Sequence, residues 1–339
     1  MNDSDTPSGF GTLEGAAAVV FTLVGWSSVP LFLKHFSHSI DAWTSNGWRY
    51  AFAALLWLPV ILLHTKRRTL PQGIYRAALL PSAFNIVGQV CFTSAHYLID
   101  PGLLTFGLRV HIVFVAIGAL LLFPAERRVI KSLGFIAGAV LVMGGTMATI
   151  LLGSGLGGGA TVGGVALAIA SGLLFACYGL SVRRCMIGYP SLTSFAVISQ
   201  YTAAGMLLLM VTLGERAGLT ALDLPLSQFG LLLLSALIGI ALGHVAYYIS
   251  IDRLGVAVSS GVIQLQPFFV SLGSLWLFGE TLSTGQWSGG AVAIAGAIVM
   301  LWTQHTLAQR DKRSRAAGAL EELPVDHVAA ASEAERDPR

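Results

Sequence analysis

Ten apolar runs divide the chain, each close to the length that a helix needs to cross a membrane. They cover about 15–33, 42–63, 77–99, 103–123 and 133–152, then 162–181, 192–213, 229–251, 256–278 and 287–306. A helix rises about 1.5 Å per residue, so roughly 20 apolar residues span a hydrocarbon core of about 30 Å. The breaks are charged or rich in turn formers: KRR at 66–68, ERRVIK at 126–131, GSGLGGG at 153–159 and RR at 183–184. This pattern predicts an all-α polytopic membrane protein with ten transmembrane helices. The glycine run joins two spans and has no Lys-Ser/Thr after it, so it reads as a linker and not as a phosphate-binding loop.

The two sets of five repeat one another. From Gly88, GQVCFTSAHYLIDPGLLTFGLRVHIVFVAIGALLLFPAE lies without gaps over GHVAYYISIDRLGVAVSSGVIQLQPFFVSLGSLWLF from Gly243, until one extra residue brings PAE onto GE. The alignment pairs Gln89 with His244, Arg109 with Gln264, His111 with Gln266 and Glu126 with Glu280. GWRYAFAAL likewise lies over ISQYTAAGM, pairing Arg49 with Gln200 and Tyr50 with Tyr201. Five is odd, so the halves must cross the membrane in opposite directions. Two inverted five-helix repeats are expected at 15–152 and 162–306, joined by a linker at 153–161 and flanked by a segment 1–14 and a tail 307–339. Repeats of this kind hold a substrate near the midplane and open alternately to either side.

Composition agrees with this picture. Hydrophobic residues make up 55% of the chain and charged ones 11%, with a mean hydropathy of +0.74, too apolar for a soluble domain. The net charge of +3 is small and the basic residues sit between apolar runs, which argues against nucleic-acid binding. With positive loops held in the cytoplasm, the clusters at 66–76, 127–131, 183–184, 253 and 310–315 fall on that side. Only Lys34 and Arg216 fall on the other, so both termini are expected to be cytoplasmic, in the inner or plasma membrane. Asp3, Asp5 and Glu14 precede the first run without a Lys or Arg, so that run reads as a retained span and not as a secretory signal. The tail is rich in Ala, Glu and Arg and is expected to be disordered.

Each half closes with a span, a short acidic turn (FPAE, LFGE) and a glycine-bearing last span. In QLQPFFVSLGSLWLFGETLSTGQWSGGAVAIAGAIVM at 264–300, Pro267, Gly279-Glu280, Gly290 and Gly296 form a P…GE…G…G pattern. Together with Trp26, Arg49 and Glu126 in the first half, it resembles the EamA family of the drug/metabolite transporter superfamily over most of 15–306. The resemblance implies an ATP-independent secondary transporter of small metabolites, with no cofactor and no catalytic residue. The chain departs from the pattern in span four, where His111-Ile112 stands opposite Gln266-Pro267 and no proline is present.

Polar residues inside the runs supply the candidate site, because a charge at membrane depth needs a partner, a wet cavity or a task. Arg109 and His111 are two residues apart, about 200° around a helix, so only one can face a narrow central cavity. Arg109 is expected there, with His111 packed against a neighbouring helix. The substrate-binding candidates are Arg109, Gln264, Gln266, Gln89, His244, Tyr248, Arg49 and Trp26; the candidate proton carriers are His111, His96 and His244. Gln264 and Gln266 gain weight from Pro267, whose missing N–H frees a carbonyl.

No Asp or Glu lies deep in any run, which favours export of an anionic or amino-acid-like compound over a cation. The alternatives are a drug or cation efflux protein of the same fold, or a non-transporting scaffold or sensor. An intramembrane enzyme would need HExxH or paired carboxylates at depth, and Glu126 and Glu280 are expected at opposite faces. Cys91, Cys177 and Cys185 lack metal-ligand spacing. A small-molecule substrate and the lipid bilayer are the expected partners. Gly134, Gly138, Gly144, Gly145, Gly289, Gly290 and Gly296 suit close helix approach, either between the halves or in a homodimer.

Overall fold

A computed structural model of the chain describes residues 9–122, 127–152, 161–186, 188–254, 262–263 and 265–321. Helix α1 (Gly9–Phe36) leads to α2 (Ala42–Lys66) and α3 (Ile74–His96), then to a fourth span in three pieces. These pieces are α4 (Pro101–Gly107), a 3-10 turn (Leu108–Val110) and α5 (His111–Leu122); a short α6 (Arg127–Ile130) precedes α7 (Leu133–Leu151). The second half runs through α8 (Val162–Cys185), α9 (Ser191–Leu213), a 3-10 segment (Glu215–Asp223) and α10 (Leu226–Ala236). A π turn (Leu237–Leu242) carries α10 into α11 (Gly243–Leu254), and α12 (Gln266–Phe278) and α13 (Thr284–Glu321) complete it. Among the described residues seven segments are long and apolar enough to cross a membrane, and α7 and α12 contain shorter apolar helices. Large apolar side chains such as Trp276 and Leu121 stand exposed on the outside, as a lipid-facing surface requires.

Local chemistry sets the helix ends. Asp41 Oδ1 accepts the N–H groups of Trp43 and Thr44 at 2.9 and 3.0 Å and caps α2. Thr161 caps α8 through the Gly164 N–H at 3.0 Å, and Ser132 caps α7. Gly279 closes α12 in the left-handed region at φ +67, where a side chain would be strained.

The helix pairs themselves show the inverted repeat. Helix α3 packs on α8 as α11 packs on α1, and α5 on α8 as α12 on α1. Two large seams join equivalent spans, α2 to α9 and α7 to α13, and α3 packs on α9 as well. Along the α7/α13 seam Gly138 meets Gly296 and Gly145 meets Gly289, and a Cβ on any of the four would lie within 3 Å of the other helix's backbone. Gly134 lies against Thr303 and Gly290 against Phe106, while Gly144 faces open space. All of these glycines but Gly144 therefore join the two halves of one chain.

Span ends gather at two opposite faces. At one, Lys34 Nζ pairs at 3.2 Å with Asp100 of the first half and at 3.2 Å with Glu280 of the second, and Ser283 Oγ donates to Leu152 O at 3.0 Å. At the other, Arg253 pairs with Glu14 at 3.2 Å. Helix α13 runs on to Glu321, past the end of the last apolar run. Helix-forming Ala, Arg and Leu make up most of that stretch and let it continue from the last span. The remainder of the tail, the linker at 153–160, Glu126 and Gln264 lie outside the described residues.

Candidate functional site

Two prolines set the central site. Pro267 has no N–H to return to the carbonyl four residues earlier, that of Ile263; Pro30, inside α1, likewise leaves the Trp26 carbonyl without its helical donor. A bare carbonyl at membrane depth is costly, and each of these is met by a side chain from another helix. Arg109 Nη1 donates to Ile263 O at 3.1 Å, and Gln266 Nε2 donates to Trp26 O at 2.9 Å. Arg109 also donates through Nη2 to Gln266 Oε1 at 3.0 Å and through Nε to Thr105 O at 3.1 Å. The result is one continuous bonded line from the 3-10 turn of span four, through the start of α12, into the middle of α1.

The π turn extends the line into span eight. Such a turn replaces i→i+4 bonds by i→i+5 and shifts the carbonyls off the helical ladder. Trp26 Nε1 donates to Gly239 O and Trp57 Nε1 to Ala241 O, both at 3.0 Å, pinning α1 and α2 to it. Around Trp26 lies an aromatic cluster, with its ring 5.2 Å from that of His244 and 4.9 Å from that of Tyr247. His244 stacks on Phe195 of α9 at 5.2 Å and 15°, with Nδ1 3.2 Å from Ile240 O. Tyr248 meets the same Phe195 edge-on at 5.9 Å, and its hydroxyl lies 2.8 Å from that of Tyr178 on α8.

Arg49 enters from α2 and is only 1% exposed. Its Nε donates to Ser235 Oγ at 2.9 Å, and a Cβ on Gly239 would sit 3.9 Å from its Nη2. The structure thus brings Trp26, Arg109, Gln266, His244 and Tyr248 into one cluster, with Arg49 beside it across Gly239. The other candidates stand apart from it. His111 lies against α8, with its Cβ 3.5 Å from where a Gly172 Cβ would be. Gln89 is half-buried on α3, where its backbone carbonyl accepts Asn46 Nδ2 at 3.4 Å. His96 is fully buried towards the end of α3, with its ring 4.5 Å from that of Phe92 and Nδ1 2.8 Å from Phe92 O.

Pro30, Phe195, Ser235 and Gly239 belong to the site but are not singled out from the sequence. Ser235 and Gly239 do carry a signal: two small residues four apart in an apolar run mark a place where another helix can come close. Among the described residues no three His, Cys, Asp or Glu side chains gather to hold a metal ion.

Comparison with known proteins supports the same architecture. Residues 13–151 and 162–302 each match the EamA-like transporter family. No curated protein matches the chain. A crystal structure of a protein superposes with a TM-score of 0.58, covering 88% of this chain and 98% of its own, at 19% identity. At that identity the likeness concerns the fold alone.

Proposed function

The chain belongs to the EamA-like transporter family, and from that premise we propose that it is an ATP-independent exporter of small anionic or amino-acid-like metabolites. It works by alternating access between its two inverted halves, in the cell membrane with both termini in the cytoplasm. The observation that carries the choice of cargo is the sign of the buried charge. Arg49 and Arg109, 1% and 6% exposed, sit where spans of both halves meet, while no Asp or Glu lies deep in any of the ten runs. A buried cation near an aromatic cluster suits a carboxylate on an otherwise apolar molecule, and repels a lipophilic cation.

Thermal melting of the detergent-purified chain tests this. The ligand panel holds the common amino acids, acetate, succinate, citrate and benzoate, set against ethidium and tetraphenylphosphonium as cations. A ligand at a hundred times its dissociation constant stabilises by about 2.7 kcal/mol, enough to raise the melting temperature measurably. At least one carboxylate should do so. Stabilisation by the two cations alone would overturn the anionic reading and leave a cation efflux protein in its place.

A further inference from the structure

We propose that Arg49, and not Arg109, is the group that grips the anionic end of the cargo; this rests on the reading above that the cargo is anionic. The two arginines differ in what their donors already do. A guanidinium has five N–H donors in a fixed fork. Arg109 uses all three of its nitrogens on protein acceptors, one of them the carbonyl that Pro267 vacates. Turning it towards a ligand would bare that carbonyl and the Gln266 amide oxygen inside the membrane. Arg109 is a joint between spans.

Arg49 is as deeply buried but far less engaged. Among the described residues its one hydrogen bond runs from Nε to Ser235 Oγ. Its Nη2 lies near Gly239, whose missing side chain lets Val29 pack against that turn, and neither Nη1 nor Nη2 bonds to a described residue. No Asp or Glu among the described residues pairs with it. A cation shut away from water with most of its donors unused is costly unless an anion joins it.

A neighbouring helix holds one further buried group with nothing to bond. His96 Nε2 on α3 is sealed from solvent and lacks a partner among the described residues. Both His96 and His244 stand within electrostatic reach of the Arg49 charge. Buried polar atoms are almost always bonded, so the unused Nη1 and Nη2 donors of Arg49 and the unpaired His96 nitrogen suit a polar guest. A carboxylate answers both: the Arg49 fork takes its two oxygens, and a histidine N–H supplies a further donor.

The test titrates the panel carboxylate that most stabilises the unaltered chain, against that chain, Arg49→Gln and Arg49→Lys. Arg49→Gln should weaken the dissociation constant on the order of a hundredfold, as loss of one partner from a buried charged pair does. Arg49→Lys, which keeps the charge and loses the fork, should fall in between. An unchanged constant in Arg49→Gln overturns the assignment while leaving an anion transporter standing; failure of every carboxylate to stabilise the unaltered chain overturns the broader reading instead. If Arg49→Gln does not fold, phenylglyoxal labelling of the unaltered chain, read by peptide mass spectrometry, decides. Modification of Arg49 that the carboxylate suppresses supports the proposal, and modification of Arg109 with Arg49 untouched overturns it.

Discussion

Arg109→Leu should lower the melting temperature of the ligand-free protein by several degrees, and adding Pro267→Ala should recover part of the loss. Leucine leaves Ile263 O and Gln266 Oε1 without the donors they have at 3.1 and 3.0 Å. An orphaned buried acceptor costs about 1–3 kcal/mol, although side-chain bonds measured inside a bilayer average only about 0.6 kcal/mol. Removing a buried cation also relieves its desolvation, which works in the opposite direction. The loss should prevail, at about 1–2 kcal/mol, because the guanidinium's own burial is already compensated by its acceptors while theirs would not be. Alanine at 267 restores a backbone N–H four residues after Ile263, so the same carbonyl regains a donor by another route. A double-mutant cycle read by thermal melting measures that coupling. Additive effects of the two substitutions, or an Arg109→Leu protein as stable as the parent, would show that Arg109 does not fill the gap left by the proline.

This arrangement shows what could be read along the chain and what could not. Spans of about 20 residues and their repetition are legible because membrane depth imposes a length on every helix and an inverted pair imposes a match. That Pro267 frees a carbonyl follows from the residue type alone. Which group answers it does not, since Arg109 and Ile263 are 154 positions apart and meet only once four spans have packed. The opposed faces of Arg109 and His111 were likewise readable from helix geometry, whereas the 3-10 turn at Leu108–Val110 that carries Arg109 was not. Arg49 appeared from the sequence as one arginine among the candidates. Its difference from Arg109 lies in a count of donors, and that count needs coordinates.

The glycines are the clearest case of an ambiguity that packing removes, and they carry the other large effect. Glycine to alanine inside a helix ordinarily stabilises, by about 0.5–1 kcal/mol, because alanine loses less freedom on folding. At Gly144 nothing lies within 4 Å of the new methyl, so Gly144→Ala should leave the melting temperature unchanged or slightly raised. At Gly145, one position along, the methyl would meet the backbone nitrogen and Cα of Ala293 and the carbonyl of Gly289, none of which can swing aside. Helices α7 and α13 would have to part along the whole seam, so Gly145→Ala should cost about 1–3 kcal/mol or more, as overpacking does. Gly134→Ala should fall between them, since its methyl meets the side chain of Thr303, which has other rotamers. Melting curves at several protein concentrations separate this from a dimer seam: within one chain the drop at Gly145 is independent of concentration, whereas a dimer contact would leave a monomer that melts like the parent. Equal melting temperatures for Gly144→Ala and Gly145→Ala would mean that the two halves do not meet along this seam.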